Sequence, residues 1–453
     1  MNATPHWRAP HDDHHRPRRR GRLLAPLGVL GLAVATAAVG PLTTSWSTAA
    51  APTAGTATVA PQAGGDRNPH GARNVIFIQG DGMGIAHREL IRLATQGQDG
   101  DLRMNRMDRT GFVHTDSADT EEAVTDSAAA ATAYATGVRS YNGAVGVDVD
   151  GNPLPTLLEE ARDRGRATGL VTTSQVTDAT PAAFSAHVAD RGDQSEIARQ
   201  IIEQTQVDLV LGGGEDWWYP EGDAGAWPDN PPKDPTEQSK GTEGNLVDRA
   251  QQLGYQYVST GDELAGIEQT PVLGLFANEE MFEHHNEGEG DLYEPAVPLP
   301  DMAAKAMDLL STDPDGFFLL IEEEGIDEMS HHGNAHLTVT AGQALDETVG
   351  LALDFAARTP GTLVLVVGDH ETGGLAIENV DPDDENAPGE QAEDEIPIAN
   401  SDLVMSVDWT TNGHTGAATP ITASGPGAAD LGRVLRNTEV HDAVRRAMLR
   451  ACP

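Results

Sequence analysis

The sequence predicts an α/β protein with a three-layer sandwich, in which a central, mostly parallel sheet lies between two layers of helices. Short apolar runs alternate along the chain with helical patterns, as is typical of parallel α/β folds. Runs of this length suit strands that are buried on both faces. The predicted strands span 75–78, 169–171, 209–211, 317–321 and 363–367, and the predicted helices span 155–165, 194–205, 301–311 and 337–358.

Acidic residues follow three of these strands closely. Asp81, Glu322 and Asp369 each come directly or shortly after an apolar run. In open α/β sheets, ligands bind beyond the carboxyl ends of the strands. We therefore expect the three carboxylates to meet at one site at this edge of the sheet.

Acidic residues also dominate the charge of the chain. Against 71 Asp and Glu there are 29 Lys and Arg, and the formal net charge is -42 at pH 7. This charge argues against a dedicated nucleic-acid partner or an anionic membrane surface, since both need a basic face. It fits a halophilic protein, because concentrated salt screens the repulsion between carboxylates. The single cysteine, Cys452, excludes an intrachain disulfide.

The first 50 residues have the character of an export signal. Arginines between 16 and 22 precede an apolar run over 23–39, and small residues over 49–51 form a cleavage zone. The pair Arg19-Arg20 partly matches a twin-arginine signal. The apolar run is shorter than a typical membrane span, so no stable membrane anchor is expected. We predict a secreted protein with a signal peptide over 1–50 and a flexible linker over 51–70.

The remaining residues, 71–453, are predicted to form a single domain with two loop insertions. The first, near 213–243, is rich in Gly, Pro and Trp, and we expect an ordered loop packed by its aromatic side chains. The second, near 376–402, includes a stretch over 381–395 with eight acidic residues and no basic one. We expect this stretch to be a mobile acidic loop.

Ser127 lies at the predicted start of an alanine-rich helix within 125–137. Alanine has the strongest helix propensity, so a helix should begin at or near this serine. Unpaired N–H groups and the helix dipole at such a position favour an anion. Taken alone, an Asp-Ser pair before a helix is most often only an N-cap.

Histidines and carboxylates in three further places could share metal ions. Asp327 and His331 are four residues apart, so that on a helix both side chains face the same way. Asp369 and His370 follow a strand, and His414 lies in a glycine-containing loop. Each feature is common by chance, but their occurrence together favours a metal centre. These residue types are those that two zinc ions and one magnesium ion require.

From Asn74 onwards, the chain resembles the bacterial alkaline phosphatases that use metal ions and a serine nucleophile. The motifs occur in the family's order from 74 to 416, and together they are highly specific. They comprise 80–84 (GDGMG), 125–137, 141–144 (YNGA), 178–191 (beginning DATPAA), 322–331, 368–374 (GDHETGG) and 414–416 (HTG).

The resemblance implies an alkaline-phosphatase-like fold and a catalytic domain that hydrolyses small-molecule phosphate monoesters through a phosphoserine on Ser127. It implies that Arg191 clamps two phosphate oxygens and that Asp178 orders magnesium-bound water. It also implies a homodimer. The implied ligands are Asp327, His331 and His414 for the first of two zinc ions, Asp369 and His370 for the second, and Asp81, Thr180 and Glu322 for one magnesium ion, with Asp81 bridging to the second zinc.

Glutamates lie on both sides of Asp327 in this motif. Glu322, Glu323 and Glu324 are consecutive, so chemistry alone leaves the magnesium ligand open, and the family spacing before Asp327 favours Glu322. Where many bacterial relatives carry a lysine or histidine, this chain has Glu328. We expect Glu328 to weaken phosphate binding if it faces the site, and to have no effect if it points to solvent.

Two alternative functions remain at this point. One is a phosphodiesterase or sulfatase of the same superfamily, although sulfatases of that group carry a C/S-x-P-x-R motif and residues 127–131 (SAAAA) lack its Pro and Arg. The other is a non-catalytic cation-binding protein, which would leave Ser127 and Arg191 without a role.

The acidic excess predicts that salt stabilises the fold, because added ions screen the repulsion between carboxylates. Raising NaCl from about 0.05 to about 3 M should raise the melting temperature, which differential scanning calorimetry measures. A neutral osmolyte is the control, since it changes surface exclusion without screening charge. A melting temperature that stays flat or falls with salt would contradict this prediction.

Overall fold

A ten-stranded sheet lies at the centre of the structure, which is a computed structural model. The structure describes residues 71–228, 238–283, 292–380 and 395–449. Within these ranges the strands are β1 Asn74–Gly80, β2 Arg109–His114, β3 Ala167–Gln175, β4 Leu209–Gly213, β5 Gln256–Val258, β6 Val272–Leu275, β7 Phe317–Glu323, β8 Thr362–Gly368, β9 Glu371–Thr372, β10 Leu375–Glu378, β11 Ile396–Pro397, β12 Val404–Trp409, β13 His414–Thr415, β14 Thr419–Ser424 and β15 Val434–Arg436.

Helices connect most of these strands and cover both faces of the large sheet. In the same ranges they are α1 Ile85–Gln96, α2 Ser127–Thr136, α3 Leu157–Arg162, α4 Ala179–Ser185, α5 Gln194–Gln200, α6 Leu246–Gln252, α7 Gly261–Ala265, α8 Leu299–Leu310, α9 Gly325–His331, α10 Ala335–Arg358 and α11 Asn437–Leu449. A π-helical turn, Ile201–Thr205, extends α5.

The large sheet is mostly parallel. Its strand order is β15-β2-β14-β8-β1-β7-β3-β4-β6-β5. Only β14 among these strands runs antiparallel to its neighbours, β8 and β2. This architecture confirms the predicted three-layer α/β class.

Side chains from the central strands alternate between two apolar cores. From β1, Val75 and Phe77 enter a core shared with α2, α3, α4 and α11, whereas Ile76 and Ile78 enter one shared with α1, α8 and α10. Because both faces are covered, β1, β7 and β8 are buried along their whole length. This explains why continuous apolar runs identify these strands in the sequence.

All five predicted strands are present, and each is longer than its apolar run. The four predicted helices are also present, with ends shifted by a few residues. Sequence patterns did not identify β2 or β14, which carry polar residues and glycine or proline. These two strands pair with each other across some 300 residues, at Phe112 with Pro420 for example, and such pairing depends on the tertiary structure.

Two small sheets lie beside the large one. β9 pairs with β13, so His414, which was predicted in a loop, begins a two-residue strand instead. β10, β12 and β11 form a three-stranded sheet in and after the second predicted insertion. In the described part of the first insertion, Trp218 is fully buried, and Trp227 Nε1 donates to the Leu275 carbonyl at 3.1 Å.

Several predictions fall outside the described residues: the signal peptide over 1–50, the linker over 51–70 and nearly all of the acidic stretch over 381–395. The described residues lie in a single compact unit, Ala63–Pro453. None of the described helices combines the length and the apolar character that crossing a membrane requires.

Two glycines of α10 provide a test of core packing. An alanine Cβ at Gly342 would lie 2.1 Å from Ile91 Cδ1 of α1, inside the core, whereas at Gly350 it would meet only the Arg103 side chain. Overpacking a core lowers the free energy of unfolding by about 1–3 kcal/mol, whereas replacing a glycine inside a helix with alanine raises it by about 1 kcal/mol. We expect Gly342→Ala to lower the free energy of unfolding in urea titrations. Gly350→Ala, the matched control, should leave it unchanged or raise it, and equal effects would contradict this account.

Candidate active site and metal centre

Ser127 is the first residue of α2, at the carboxyl-end edge of the large sheet. Asp126 precedes it as the N-cap, accepting hydrogen bonds from Ala129 N at 2.9 Å and from Gly143 N at 2.8 Å. Every residue of α2 is buried, and Ser127 is only 6% exposed. The small alanine side chains allow the helix to pack closely, and its first residue, Ser127, meets His370.

Asp327, His331 and His414 form a first group of possible metal ligands, with one donor atom from each within 4.8 Å of the others. On α9, His331 Nε2 lies 3.0 Å from Asp327 Oδ2, as the four-residue spacing predicts. β13 brings His414 to this pair from 83 residues away, with its Nε2 at 3.2 Å from His331 Nε2.

The backbone determines which nitrogen of each histidine is available. His331 Nδ1 lies 2.5 Å from the Asn412 carbonyl, and His414 Nδ1 lies 3.0 Å from the Thr125 carbonyl. A carbonyl only accepts, so both Nδ1 atoms must donate a proton. Nε2 is therefore the atom of each ring that a metal would bind, the arrangement in which metal-ligating histidines are usually held. At His331 the metal would displace a proton, because the Asp327 carboxylate raises the pKa of this imidazole to about 10.

Asp81, Asp369 and His370 form the second group. His370 Nε2 lies 3.5 Å from Asp81 Oδ1 and 3.3 Å from Asp369 Oδ2. These two carboxylate oxygens are buried and have no hydrogen-bond partner among the described residues. Buried carboxylates that lack partners are costly, so this donor set fits a cation.

Burial and mutual repulsion control protonation in the second group. Burial, assisted by the carboxylates of Asp369 and Asp327, raises the pKa of Asp81 well above its usual range. Burial also raises the pKa of Asp369 and lowers that of His370. A divalent cation would reverse this by stabilising both carboxylates in their ionised form.

Asp327 behaves differently, although it is also buried. Burial opposes its ionisation, but the imidazoles of His331, His414 and His370 outweigh burial and hold the pKa of Asp327 well below its usual range. The first group therefore pairs one carboxylate with two histidines, a ligand set that suits zinc.

The two groups adjoin each other and Ser127. The rings of His370 and His414 stack with their centroids 3.6 Å apart. Ser127 Oγ lies 3.1 Å from His370 Nε2, the atom that faces both carboxylates of the second group. The serine oxygen thus lies beside the second group of possible metal ligands.

Glu322 and Thr180, which the sequence predicts as magnesium ligands with Asp81, lie beside a row of polar side chains on the sheet. Gln79 is in register with Glu322 on the adjacent strand, and Gln79 Nε2 donates to Thr180 Oγ1 at 2.8 Å. Thr172 Oγ1 donates to Glu322 Oε2 at 2.7 Å. Burial raises the pKa of Glu322 to about 7. This oxygen-only donor set suits magnesium.

Arg191 lies near Ser127 and is held by two carboxylates. Its Nη2 donates to both oxygens of Asp178, at 2.8 and 3.1 Å, and its Nη1 lies 3.6 Å from Asp126 Oδ2. Burial opposes the charge on Asp178, but Arg191 outweighs burial and lowers the pKa of this carboxylate. Asp178, predicted to order magnesium-bound water, therefore also fixes the guanidinium.

Glu328 is half-buried on α9 between ligand positions. Burial raises the pKa of its neighbour Glu324 well above the usual range, and the charges of Asp178 and Glu328 add to this. Glu328 therefore contributes to an acidic environment at this end of the site.

Three residues that support the site had no role assigned from the sequence, Gln79, Glu371 and Thr372, and Asp126 was expected only as an N-cap. Thr372 Oγ1 donates to Asp327 Oδ1, and Thr372 N donates to the Gly82 carbonyl at 3.1 Å. A signal existed for Gln79, because a polar residue interrupts an apolar strand there. Glu371 and Thr372 lie within the motif over 368–374, but the motif does not record their hydrogen-bonding partners, which are distant in sequence.

The family model described as alkaline phosphatase matches residues 72–402. Alkaline phosphatase H of Pseudomonas aeruginosa (strain UCBPP-PA14) is 33% identical over 431 residues, which cover 83% of this chain and 85% of that protein. Alkaline phosphatase 4 of Bacillus subtilis (strain 168) is 33% identical over 314 residues, which cover 67% of this chain but 62% of that protein.

Solved structures give the same result. The alkaline phosphatase from the Antarctic bacterium TAB5 superposes with a TM-score of 0.68 at 26% identity, covering 84% of this chain and 100% of that one. A variant of that enzyme with magnesium in its M3 site superposes with a TM-score of 0.66. Because the family model matches well over half of the sequence and the fold agrees, the chain belongs to the alkaline phosphatase family.

Proposed function

We propose that the chain is a secreted enzyme that transfers the phosphoryl group of a phosphate monoester to Ser127 and then to water, with two zinc ions and one magnesium ion as cofactors. Membership of the alkaline phosphatase family makes it a phosphate-monoester hydrolase. The observation that carries the mechanism is the 3.1 Å distance from Ser127 Oγ to His370 Nε2, where both ligand groups adjoin.

The ligand assignment follows from donor chemistry. Asp327, His331 and His414 would hold the first zinc, and Asp369 and His370 the second, because imidazole with carboxylate suits zinc. The magnesium ligands would be Asp81, shared with the second zinc, together with Thr180 and Glu322. A substituted variant of the related Antarctic enzyme binds magnesium in a site called M3, which supports magnesium as one of the cofactors.

In the first step, Ser127 Oγ attacks phosphorus, a bond from Oγ to phosphorus forms, and the bond to the ester oxygen breaks. Metal ions in these groups would lower the pKa of the attacking hydroxyl and stabilise negative charge on the entering and leaving oxygens. Arg191 binds two phosphate oxygens in a fixed orientation, since Asp178 and Asp126 restrain its guanidinium. The proton of the Ser127 hydroxyl passes through water to the leaving oxygen, so the product leaves as a neutral alcohol.

In the second step, water attacks the phosphoserine, the bond from Ser127 Oγ to phosphorus breaks, and the serine regains a proton. Inorganic phosphate remains bound until Arg191 releases it. His331 and His414 direct their Nε2 atoms towards each other and towards Asp327, because backbone carbonyls accept hydrogen bonds from their Nδ1 atoms.

The chain would consist of an export signal, a linker and one catalytic domain. Residues 1–50 would direct export and 51–70 would link them to the catalytic domain over 71–453, with insertions near 213–243 and 376–402. A homodimer is proposed from family resemblance.

The side chains around Ser127 favour a monoester, since Arg191 and three sets of metal ligands suit a phosphate dianion better than a diester.

Replacing Ser127 with alanine tests the nucleophile. Ser127→Ala should retain its metals, measured by elemental analysis, and lose most turnover of a chromogenic phosphate ester, because the attacking oxygen is absent. Acid quenching of the wild type with labelled substrate should place phosphate on Ser127. Ser140→Ala is the control, since Ser140 is equally buried and its hydroxyl has no hydrogen-bond partner among the described residues. Label on another residue would exclude this mechanism.

Replacing Glu328 tests the acidic side of the site. Like charges about 6 Å apart repel by roughly 3 kcal/mol at an effective dielectric of 20, and less where water reaches the group. We expect Glu328→Lys to lower the inhibition constant for inorganic phosphate and to lower kcat, because product release slows. Glu328→Gln removes the charge without reversing it, so its inhibition constant and its kcat should lie between those of the wild type and those of Glu328→Lys. Inhibition constants within twofold of wild type, at one pH and salt concentration, would show that Glu328 does not act on bound phosphate.

A further inference from the structure

We propose that Glu371 is a positioning residue that holds His414, through Thr415, in the place where it completes the group with Asp327 and His331. The inference rests on the proposed metal chemistry of that group. Glu371 itself donates no ligand atom to either group.

The contact runs between two short paired strands. β9 and β13 are antiparallel, with Glu371 opposite Thr415 and Thr372 opposite His414. The Thr415 hydroxyl donates to Glu371 Oε2, and Leu375 N donates to Glu371 Oε1 at 3.0 Å. The carboxylate thus connects the residue after His414 to the backbone of β10, and both its oxygens are engaged.

This connection restrains one side of His414, and a second contact restrains the other. At the ring, Nδ1 donates to the Thr125 carbonyl at 3.0 Å. At the backbone, Thr415 is held by Glu371. Two restraints on either side of the imidazole determine where Nε2 points, and that atom must meet His331 Nε2 and Asp327 Oδ1, at 3.2 and 3.9 Å.

Glu371 is nearly inaccessible to water, at 5% exposure, whereas its partner Thr415 is partly exposed, so water can reach this hydrogen bond only from the Thr415 side. The loop after Asp81 packs directly against it, since a Cβ placed on Gly84 would lie 2.3 Å from Glu371 Cγ. A carboxylate enclosed in this way has little freedom to move, as positioning requires.

The neighbouring His87 is not an ion-pair partner of the Glu371 carboxylate. His87 Nδ1 lies 3.9 Å from Glu371 Oε1, but this nitrogen accepts a hydrogen bond from Gly84 N at 3.2 Å. Burial lowers the pKa of His87 to about 4, so the ring is neutral at the pH of a phosphatase assay. The contact is therefore not an ion pair, and the Thr415 hydroxyl with the backbone N–H groups of Leu375 and Gly374 remain the hydrogen-bond donors to Glu371.

The test measures zinc retention by the full-length protein loaded with zinc and magnesium. Thr415→Val removes the hydroxyl and keeps the shape of the side chain. Loss of a residue that orients a ligand typically lowers metal affinity about 10- to 100-fold. In competition with a chromogenic chelator, Thr415→Val should lose one of its two zinc ions at about 10- to 100-fold lower chelator concentration, with the second ion unchanged.

A second variant and a control separate positioning from general loosening. Glu371→Ala should lower the affinity for the same zinc ion. The double variant should bind this ion no more weakly than the single variant with the lower affinity, because both changes remove the same interaction. Thr410→Val is the matched control, since the Thr410 hydroxyl donates to the Gly374 carbonyl at 2.8 Å in the same region and does not contact Glu371. It should retain zinc as the wild type does.

Three outcomes would overturn the inference. Wild-type retention of both ions in Thr415→Val excludes it, as does equal weakening of both ions, which indicates a loosened fold. Additive losses in the double variant would show that Glu371 and Thr415 act separately. A wild-type protein that binds no zinc would instead contradict the proposed function, and the loaded wild type measured alongside the variants reveals this directly.

Discussion

Burial of several carboxylates at one edge of the sheet is the constraint on which the rest of the site depends. Asp81, Glu322, Asp327 and Asp369 are each less than 5% exposed. Like charges removed from water repel strongly, and burial raises the pKa of three of the four. Such a cluster is stable only with histidines, hydrogen-bond donors and cations around it, and the neighbouring loops supply the first two.

The loops that meet at this edge support the carboxylates in a consistent way. Gly82 N donates to Asp369 Oδ1 at 3.1 Å, while Thr372 binds both Asp327 and the Gly82 carbonyl. Gly82 has a positive φ of 64°, and a Cβ there would lie 2.4 Å from Asp327 Oδ1. The glycine therefore allows the strand-end loop to approach the carboxylates closely enough for backbone N–H groups to reach them. Glu371 continues this network to the strand that carries His414.

The same constraint gives the site an uneven charge distribution. Arg191 lies 3.6 Å from the carboxylate of Asp126, the residue before Ser127, and Asp178 and Asp126 already neutralise part of its charge. Burial and neighbouring charges raise the pKa of Glu324 on the same side. Bound metal ions would therefore supply most of the attraction for a phosphate dianion. Loss of metal should affect substrate binding as well as chemistry.

The sequence by itself determined the central strands, the helix that begins at Ser127 and the spacing of Asp327 and His331, because these depend on apolar runs, helix propensity and local periodicity. It also placed the carboxylates at strand ends, and motif resemblance identified the family. Only the tertiary structure decided that β14 reverses direction, that His414 belongs to a strand and meets His331 from 83 residues away, and that Gln79, Glu371 and Thr372 support the ligands. These features depend on contacts between segments that are distant in sequence, where no local pattern records which partner a side chain will meet.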